Sequence, residues 1–215
     1  MRTRTNYDEE LRSLDVELVR MGNSVEHAIK DAKDAFLNQD IDLAKAVVKH
    51  DGKINAHERS IENQCFHLML REAPVASDLR TVTTDLKVVT DLERIGDQVA
   101  DICELLSEGR PYEKQDLLVP LFNTVQAMIH NVLKAYVEQD LERAKAAADM
   151  DDQVDTYFAD VRDELVKGIK DNTVGVDEAI DLVMTAKHLE RAGDHATNIY
   201  EWLEFMMNGT LEDVQ

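Results

Sequence analysis

Two short acidic rows hold the residues with the most chemistry in this sequence. Glu93, Asp97, Asp101 and Glu104 form the first, and Glu190, Asp194 and Glu201 repeat it further along, with Asn198 standing where the first row has Asp101. Asp51 with Asn55, and Asp151 with Asp155, form a matching upstream set at the same four-residue spacing. Like charges at i and i+4 meet on adjacent helical turns and cost roughly a few tenths of a kcal/mol. Such a cluster repels itself unless a cation or protons compensate it. Oxygen-only ligands favour hard ions such as magnesium, calcium, manganese or iron over zinc held by Cys and His. A ferritin-like di-iron centre needs Glu-x-x-His inside a bundle. Gly96 and Gly193 stand three residues after Glu93 and Glu190 instead, and His195 falls about 100° round a helix from Asp194, which argues against internal di-metal oxidation chemistry. From spacing alone the readings stay open: hard metal ions bound on these faces, or else plainly solvated acids or a docking surface for basic partners.

The elements that must position these acids come from a duplication. At an offset of 100, residues 21–54 align with 121–154 and share ten of 34 positions, Gln39, Asp40 and Asp51 among them. At an offset of 97, LERIGDQVADICEL (92–105) aligns with LERAGDHATNIYEW (189–202), sharing seven of 14. The change of offset falls where REAPVASD is replaced by KDNTVGVD, the mark of a surface turn, since loops tolerate length changes that helices do not. Each copy divides into three helical stretches, 7–37, 41–71 and 78–107, then 116–138, 140–170 and 177–207. Asp40 and Asp140 are the expected N-caps after the first pair of helices, and Pro74 opens the turn before the third. Gly, Pro and charge gather in SEGRPYEKQ (107–115), ahead of Pro120, and predict a pliable, readily cleaved join. Helices of about 30 residues run about 45 Å and suit antiparallel bundles. The expected fold is all-α: two tandem antiparallel three-helix bundles, in domains 1–110 and 111–215.

Periodicity then places the acids. Val88, Leu92, Ile95, Val99, Ile102 and Leu106 form one apolar stripe, as do Leu189, Ala192, Ala196, Ile199 and Leu203. Glu93, Asp97, Asp101 and Glu104 fall roughly 140° to 220° from the first stripe and are expected to face outward. Asp51 and Asp97 lie 23 residues either side of Pro74, and Asn55 and Glu93 lie 19 either side, so each pair stands level in an antiparallel hairpin. About the second turn the same arithmetic pairs Asp151 with Asp194 and Asp155 with Glu190. Four acidic or amide side chains are thus expected to converge per bundle. Gly96 and Gly193 read as points of close helix approach, Cys65 and Cys103 as buried free thiols, and His27, His50, His57, His67, His130 and His188 as surface or capping histidines with no repeated ligand spacing.

Composition bounds the function. With 24 Lys+Arg against 44 Asp+Glu the formal charge is −20, which repels nucleic acid, so no nucleic-acid partner is expected. No window approaches the ~20 apolar residues that span a bilayer, and the opening MRTRTNYDEELRSLD lacks the apolar core of a signal peptide; a cytoplasmic protein without direct membrane insertion is expected.

At DLERIGDQVADI (91–102), HLERAGDHATNIYEW (188–202) and the lead-in APVASDLRTVTTDLK (73–87), the chain resembles the PhoU family of phosphate-signalling proteins. The resemblance covers nearly the whole chain, including the duplication. It implies a cytoplasmic, often homodimeric, non-enzymatic regulator that acts with the phosphate ABC transporter subunits and a phosphate sensor kinase to keep phosphate-starvation genes silent. It also implies E(D)xxxD motifs that hold multinuclear metal clusters, iron in some members. Mapped here, the motifs are Glu93 with Asp97, Glu190 with Asp194, and Asp151 with Asp155; Asp51 followed by Asn55 departs from the pattern, and Asp101 stands where the family usually has Asn. The competing readings are a carboxylate-based metal store or a metal-dependent enzyme.

Overall fold

The computed structural model describes residues 2–72 and 76–209, with side chains over 9–70 and 78–209. The chain forms α1 (Arg2–Asn38), α2 (Ile41–Glu72), α3 (Ala76–Ser107), α4 (Val119–Glu138), α5 (Leu141–Ala148), α6 (Asp151–Lys170) and α7 (Val176–Asn208), with one 3-10 turn at Gln115–Leu118 and no strand among the described residues. Both predicted stripes are buried, from Val88 to Leu106 on α3 and from Leu189 to Leu203 on α7. Pro74 lies outside the described residues.

The duplication is visible in the turns. Gln39 and Gln139 adopt the left-handed conformation at φ 51° and 52°. Behind them the Asp40 and Asp140 amides donate to the Ala35 and Ala135 carbonyls at 2.8 and 2.9 Å, so both helix ends close in the same way. Each aspartate then caps the next helix: the Asp40 carboxylate accepts from the Leu43 amide at 3.0 Å and that of Asp140 from the Arg143 amide at 3.1 Å.

The second copy departs from the expected single helix over 140–170. Asp149 and Met150 keep right-handed angles with ψ of −12° and −10°, and Met150 donates to the Ala147 carbonyl three residues back, which separates α5 from α6. Aspartate favours helix starts over interiors, and Asp151 and Asp152 occupy the first turn of α6, where the helix dipole suits them.

α1, α2 and α3 pack together, as do α4, α5, α6 and α7, and the most extensive helix contact in the chain joins α3 to α7. One buried apolar cluster runs through both sets. Asp91 of α3, 7% exposed, accepts from Asn198 at 3.1 Å and pairs with His195 at 2.9 Å. His188 of α7 meets Gln98 at 2.9 Å and Asp101 at 3.5 Å. At the offset of 97, 91 corresponds to 188, 98 to 195 and 101 to 198, so these are one set of contacts seen from its two ends.

The join between copies is pinned, contrary to its composition. Arg110 Nη1 donates to both carboxylate oxygens of buried Asp181 at 2.9 and 2.8 Å. Tyr112 stacks on Phe36 with ring centroids 5.4 Å apart and exchanges backbone-to-side-chain hydrogen bonds with Gln39. The amides of Glu113 and Lys114 both donate to Glu178 Oε1. Cys65 and Cys103 are buried, unpaired thiols, each pushed by burial up to about 12.

Because a lost N-cap leaves helix amides unpaired, Asp40→Ala and Asp140→Ala are each expected to lower stability by about 1 kcal/mol. Urea denaturation of the single variants checks this; a change in neither would show that the duplicated turns hold without their caps.

Candidate metal centres between paired helices

α2 lies along α3, and α6 along α7, so the acids predicted to stand level do face one another across a groove. Asp97 is the charge Asp51 feels most strongly, and Asp194 is the one Asp151 feels most strongly. The first groove gathers Asp51, Asn55, Glu93 and Asp97, with Asp101 and Glu104 extending its charge toward Asp51. The second gathers Asp151, Asp155, Glu190 and Asp194.

Glu104 is exposed as the periodicity implied, but Glu93 and Glu190 are less outward. Glu93 and Glu190 are only 15% and 13% exposed. The reason is that α3 and α7 each bury two faces, one in their own bundle and one against each other, which leaves the acids in the grooves beside a covered flank.

Gly96 and Gly193 lie opposite the two upstream aspartates. A Cβ on Gly96 would lie 3.4 Å from Asp51 Oδ1 and 3.2 Å from Ile54 Cγ2, and one on Gly193 would lie 3.5 Å from Asp151 Oδ1. The Gly96 position is tight against Ile54, and at both positions the aspartate oxygen lies at contact distance from the facing helix. Asp51 Oδ1, Asn55 Oδ1 and Asp151 Oδ1 are buried and have no hydrogen-bond partner. Asn55 donates to the other oxygen of Asp51 at 3.0 Å, leaving its own carbonyl oxygen toward the groove. An orphaned buried oxygen costs about 1–3 kcal/mol unless something occupies it.

Electrostatics point the same way. Burial, then Asp97, raises Asp51; burial, then Asp97, raises Glu93. Burial, then Asp194, Asp155 and Glu190, raises Asp151 to about 6, and burial, then Glu190, raises Asp194. Protein cations compensate in part: Arg94 lies 3.6 Å from Glu93 and 3.4 Å from Asp97, and Lys187 is hydrogen-bonded to Glu190. Among the described residues no three His, Cys, Asp or Glu side chains stand in a ready-made metal geometry. What the grooves offer is an oxygen-only set with orphaned lone pairs, of the kind hard cations take.

One participant was missed by spacing. Glu58, seven residues after Asp51 on the same helical face, is raised to about 7 by burial, then by Glu93 and Glu62. Its seven-residue spacing was a usable signal, but Phe158 occupies the corresponding place in the second copy, so the repeat did not flag it. Asp101 also belongs to the α3/α7 contact, through His188. The histidines bridge rather than ligate: His57 meets Glu17 at 2.7 Å and His130 meets Glu26 at 2.8 Å, each across two helices.

Raised carboxylates make the metal-free fold pH-sensitive. Asp151 at about 6 lies above the ordinary carboxylate value, so between roughly pH 4 and 6 the folded chain binds more protons than the unfolded one, and stability falls as pH rises through that window. Glu58 extends the fall toward pH 7. Thermal melts of chelated protein are expected at higher temperature at pH 5 than at pH 7.5, with a smaller difference in Asp151→Asn and Glu58→Gln; an unchanged pH dependence in both variants would remove these groups from the linkage.

The sequence model of the PhoU domain matches twice, at residues 18–106 and 118–203. The chain is 33% identical over 216 residues to the phosphate-specific transport system accessory protein PhoU homolog of Clostridium acetobutylicum, covering 99% of each. It is 32% identical over 207 residues to the phosphate-specific transport system accessory protein PhoU of Escherichia coli K12, covering 94% of this chain and 86% of that protein. The crystal structure of PhoU from Pseudomonas aeruginosa superposes with a TM-score of 0.90 at 31% identity over 95% of this chain and all of that one. The phosphate transport system regulatory protein PhoU from Streptococcus pneumoniae superposes with a TM-score of 0.88 at 27% identity, over 97% of this chain and all of that one. With a duplicated three-helix architecture, paired LERxGD blocks and full-length matches of this kind, the chain belongs to the PhoU family.

Proposed function

We propose that this chain is a non-enzymatic regulator of phosphate uptake and phosphate-starvation signalling, which works in the cytoplasm with the phosphate ABC transporter and its sensor kinase and holds hard metal ions in its two acidic grooves. The names of its relatives support the phosphate role. The observation that carries the metal reading is the matched pair of orphaned oxygens, Asp51 Oδ1 against Gly96 and Asp151 Oδ1 against Gly193. The first groove would hold its ion through Asp51, Asn55, Glu93, Asp97 and Asp101, and the second through Asp151, Asp155, Glu190 and Asp194. Bound iron, manganese, magnesium or calcium supplies positive charge that relieves the repulsion and can bridge to anionic groups of a partner. The chain's own part is to seat the acids at fixed heights on paired helices, with Arg94 and Lys187 as counter-charges a metal displaces.

Docking has support at the two hairpin tips. Phe66, Leu70 and Leu79 are exposed at one, and Val166, Val176 and Ile180 at the other. Two related apolar surfaces on one body suit contact with two related subunits of a transporter. Among the described residues no helix is long and apolar enough to cross a membrane, consistent with membrane association through those partners.

Protein stripped with chelator and reloaded is expected to retain metal and melt at higher temperature, since binding only the folded state stabilises it by mass action. Metal content equal to wild type in the quadruple variant Glu93→Ala, Asp97→Ala, Glu190→Ala, Asp194→Ala would leave the grooves merely solvated. A deletion strain is expected to express phosphate-starvation genes constitutively in phosphate-rich medium. Normal repression in that strain, with no transporter or kinase subunit co-purifying at either phosphate level, would overturn the regulatory reading.

A further inference from the structure

The two ends of the α3/α7 contact treat a buried aspartate differently. At one end Asp181, 4% exposed, accepts from Arg110 Nη1 through both carboxylate oxygens and from the Tyr112 hydroxyl at 3.4 Å. At the other end Asp85 is 1% exposed; its Oδ1 accepts from the Tyr136 hydroxyl, and its Oδ2 is buried with no hydrogen-bond partner. Under the offset of 97 Asp85 aligns with Leu182 and Asp181 with Thr84, so the two are neighbours in register rather than copies. A left-handed glycine follows each of the two helices. Gly109 ends α3 at φ 77° and Gly209 ends α7 at φ 76°. Arg110 follows the first, whereas Thr210 follows the second. Among the described residues the aspartate at this end has a tyrosine partner and no cation, the Arg80 guanidinium standing against Gly209 instead.

Beside Asp85 opens a cleft of about 440 Å³, bounded by α1, α3, α4 and the last turn of α7. Leu18, Val19, Leu133, Val137 and Met206 supply apolar walls, and Asp15 adds a second carboxylate. Among the described residues, Asp15 from α1, Cys65 from α2 and Tyr136 from α4 are the titratable groups that Asp85 feels or acts on, and none of these is a cation. Lys134 and His130 also line the cleft, but His130 is engaged by Glu26 at 2.8 Å and neither forms an ion pair with Asp85. A deep acid under apolar walls is the recognition chemistry for a charged head on a greasy stem.

We propose that this cleft binds a small organic cation, an ammonium or guanidinium on a short aliphatic stem, whose head occupies at Asp85 Oδ2 the place that Arg110 occupies at Asp181 and whose stem lies against Leu18, Leu133 and Val137. Burial holds Asp85 up to about 7, so cation and proton compete for it and binding tightens as pH rises from 6 to 8.

The test titrates the full chain with n-butylguanidinium and n-butylammonium, using n-butylurea as the neutral match, by calorimetry and by NMR shifts of Leu133 and Val137. Saturable binding of the cations, at least tenfold weaker for the urea and at least tenfold weaker in Asp85→Asn, is the expected result. Val137→Trp, a large side chain at an exposed position of the cleft wall, is expected to abolish binding and serves if Asp85→Asn does not fold. Equal binding of the urea, no saturation up to about 10 mM, or retention within twofold by both variants would overturn the proposal. A capped arginine tripeptide binding tenfold tighter than butylguanidinium would place the cation on a partner's side chain and overturn the small-molecule assignment.

Discussion

Polar side chains buried where α3 lies along α7 must find partners in each other, and most of the molecule follows from how they do so. Asp91 takes His195 and Asn198, while His188 takes Gln98 and Asp101. Neither half can shift along the other without stranding the buried members, Asp91 and Gln98, at about 1–3 kcal/mol for each. The contact therefore fixes the register of both bundles. With α3 and α7 fixed, their acidic rows are fixed too, and the upstream aspartates of α2 and α6 meet them at set heights.

Within that frame the two copies have drifted in charge rather than in shape. The first groove has Asn55 in place of an acid, and gains Glu58 and Glu62 further along α2; the second keeps four acids and sets Phe158 where Glu58 would be, with Lys187 over its ring at 5.7 Å. Counter-charge also enters from different places, Arg94 on one α3 turn and Lys187 on an earlier turn of α7. The glycine and the orphaned aspartate oxygen are the parts that both grooves keep. Geometry has been held more tightly than the identity of the surrounding charges.

Much of this was legible in the chain. A 3.6-residue apolar stripe reports burial directly, so the buried faces of α3 and α7 could be read residue by residue, and counting outward from a turn gave the level pairs Asp51 with Asp97 and Asp151 with Asp194. What stayed hidden was whatever a second buried face requires. Asp91, Gln98 and His188 look like surface residues in a one-stripe reading, because polarity signals exposure only until a partner of matching polarity covers it. The pinned join was hidden for the same reason: Gly, Pro and charge describe a loop, but Arg110 and Tyr112 anchor it through Asp181 and Phe36, far off in sequence. The Asp149–Met150 break has only the weak local signal of aspartates inside a helix, and Glu58 lost its signal when the repeat replaced it.

The reciprocal contacts across α3 and α7 also bear on ancestry. A chain carrying a single copy would present the 91, 98 and 101 positions, or their 188, 195 and 198 counterparts, to an identical chain, and the same pairs would form about a two-fold axis. Such an isologous dimer would place both acidic grooves much as they stand now. Joining its halves through residues 108–114 makes the pairing intramolecular, removes its dependence on concentration, and frees each half to change alone. The unequal ends of the contact, with Arg110 at one and an open cleft at the other, are a departure that a strict two-fold dimer could not have made.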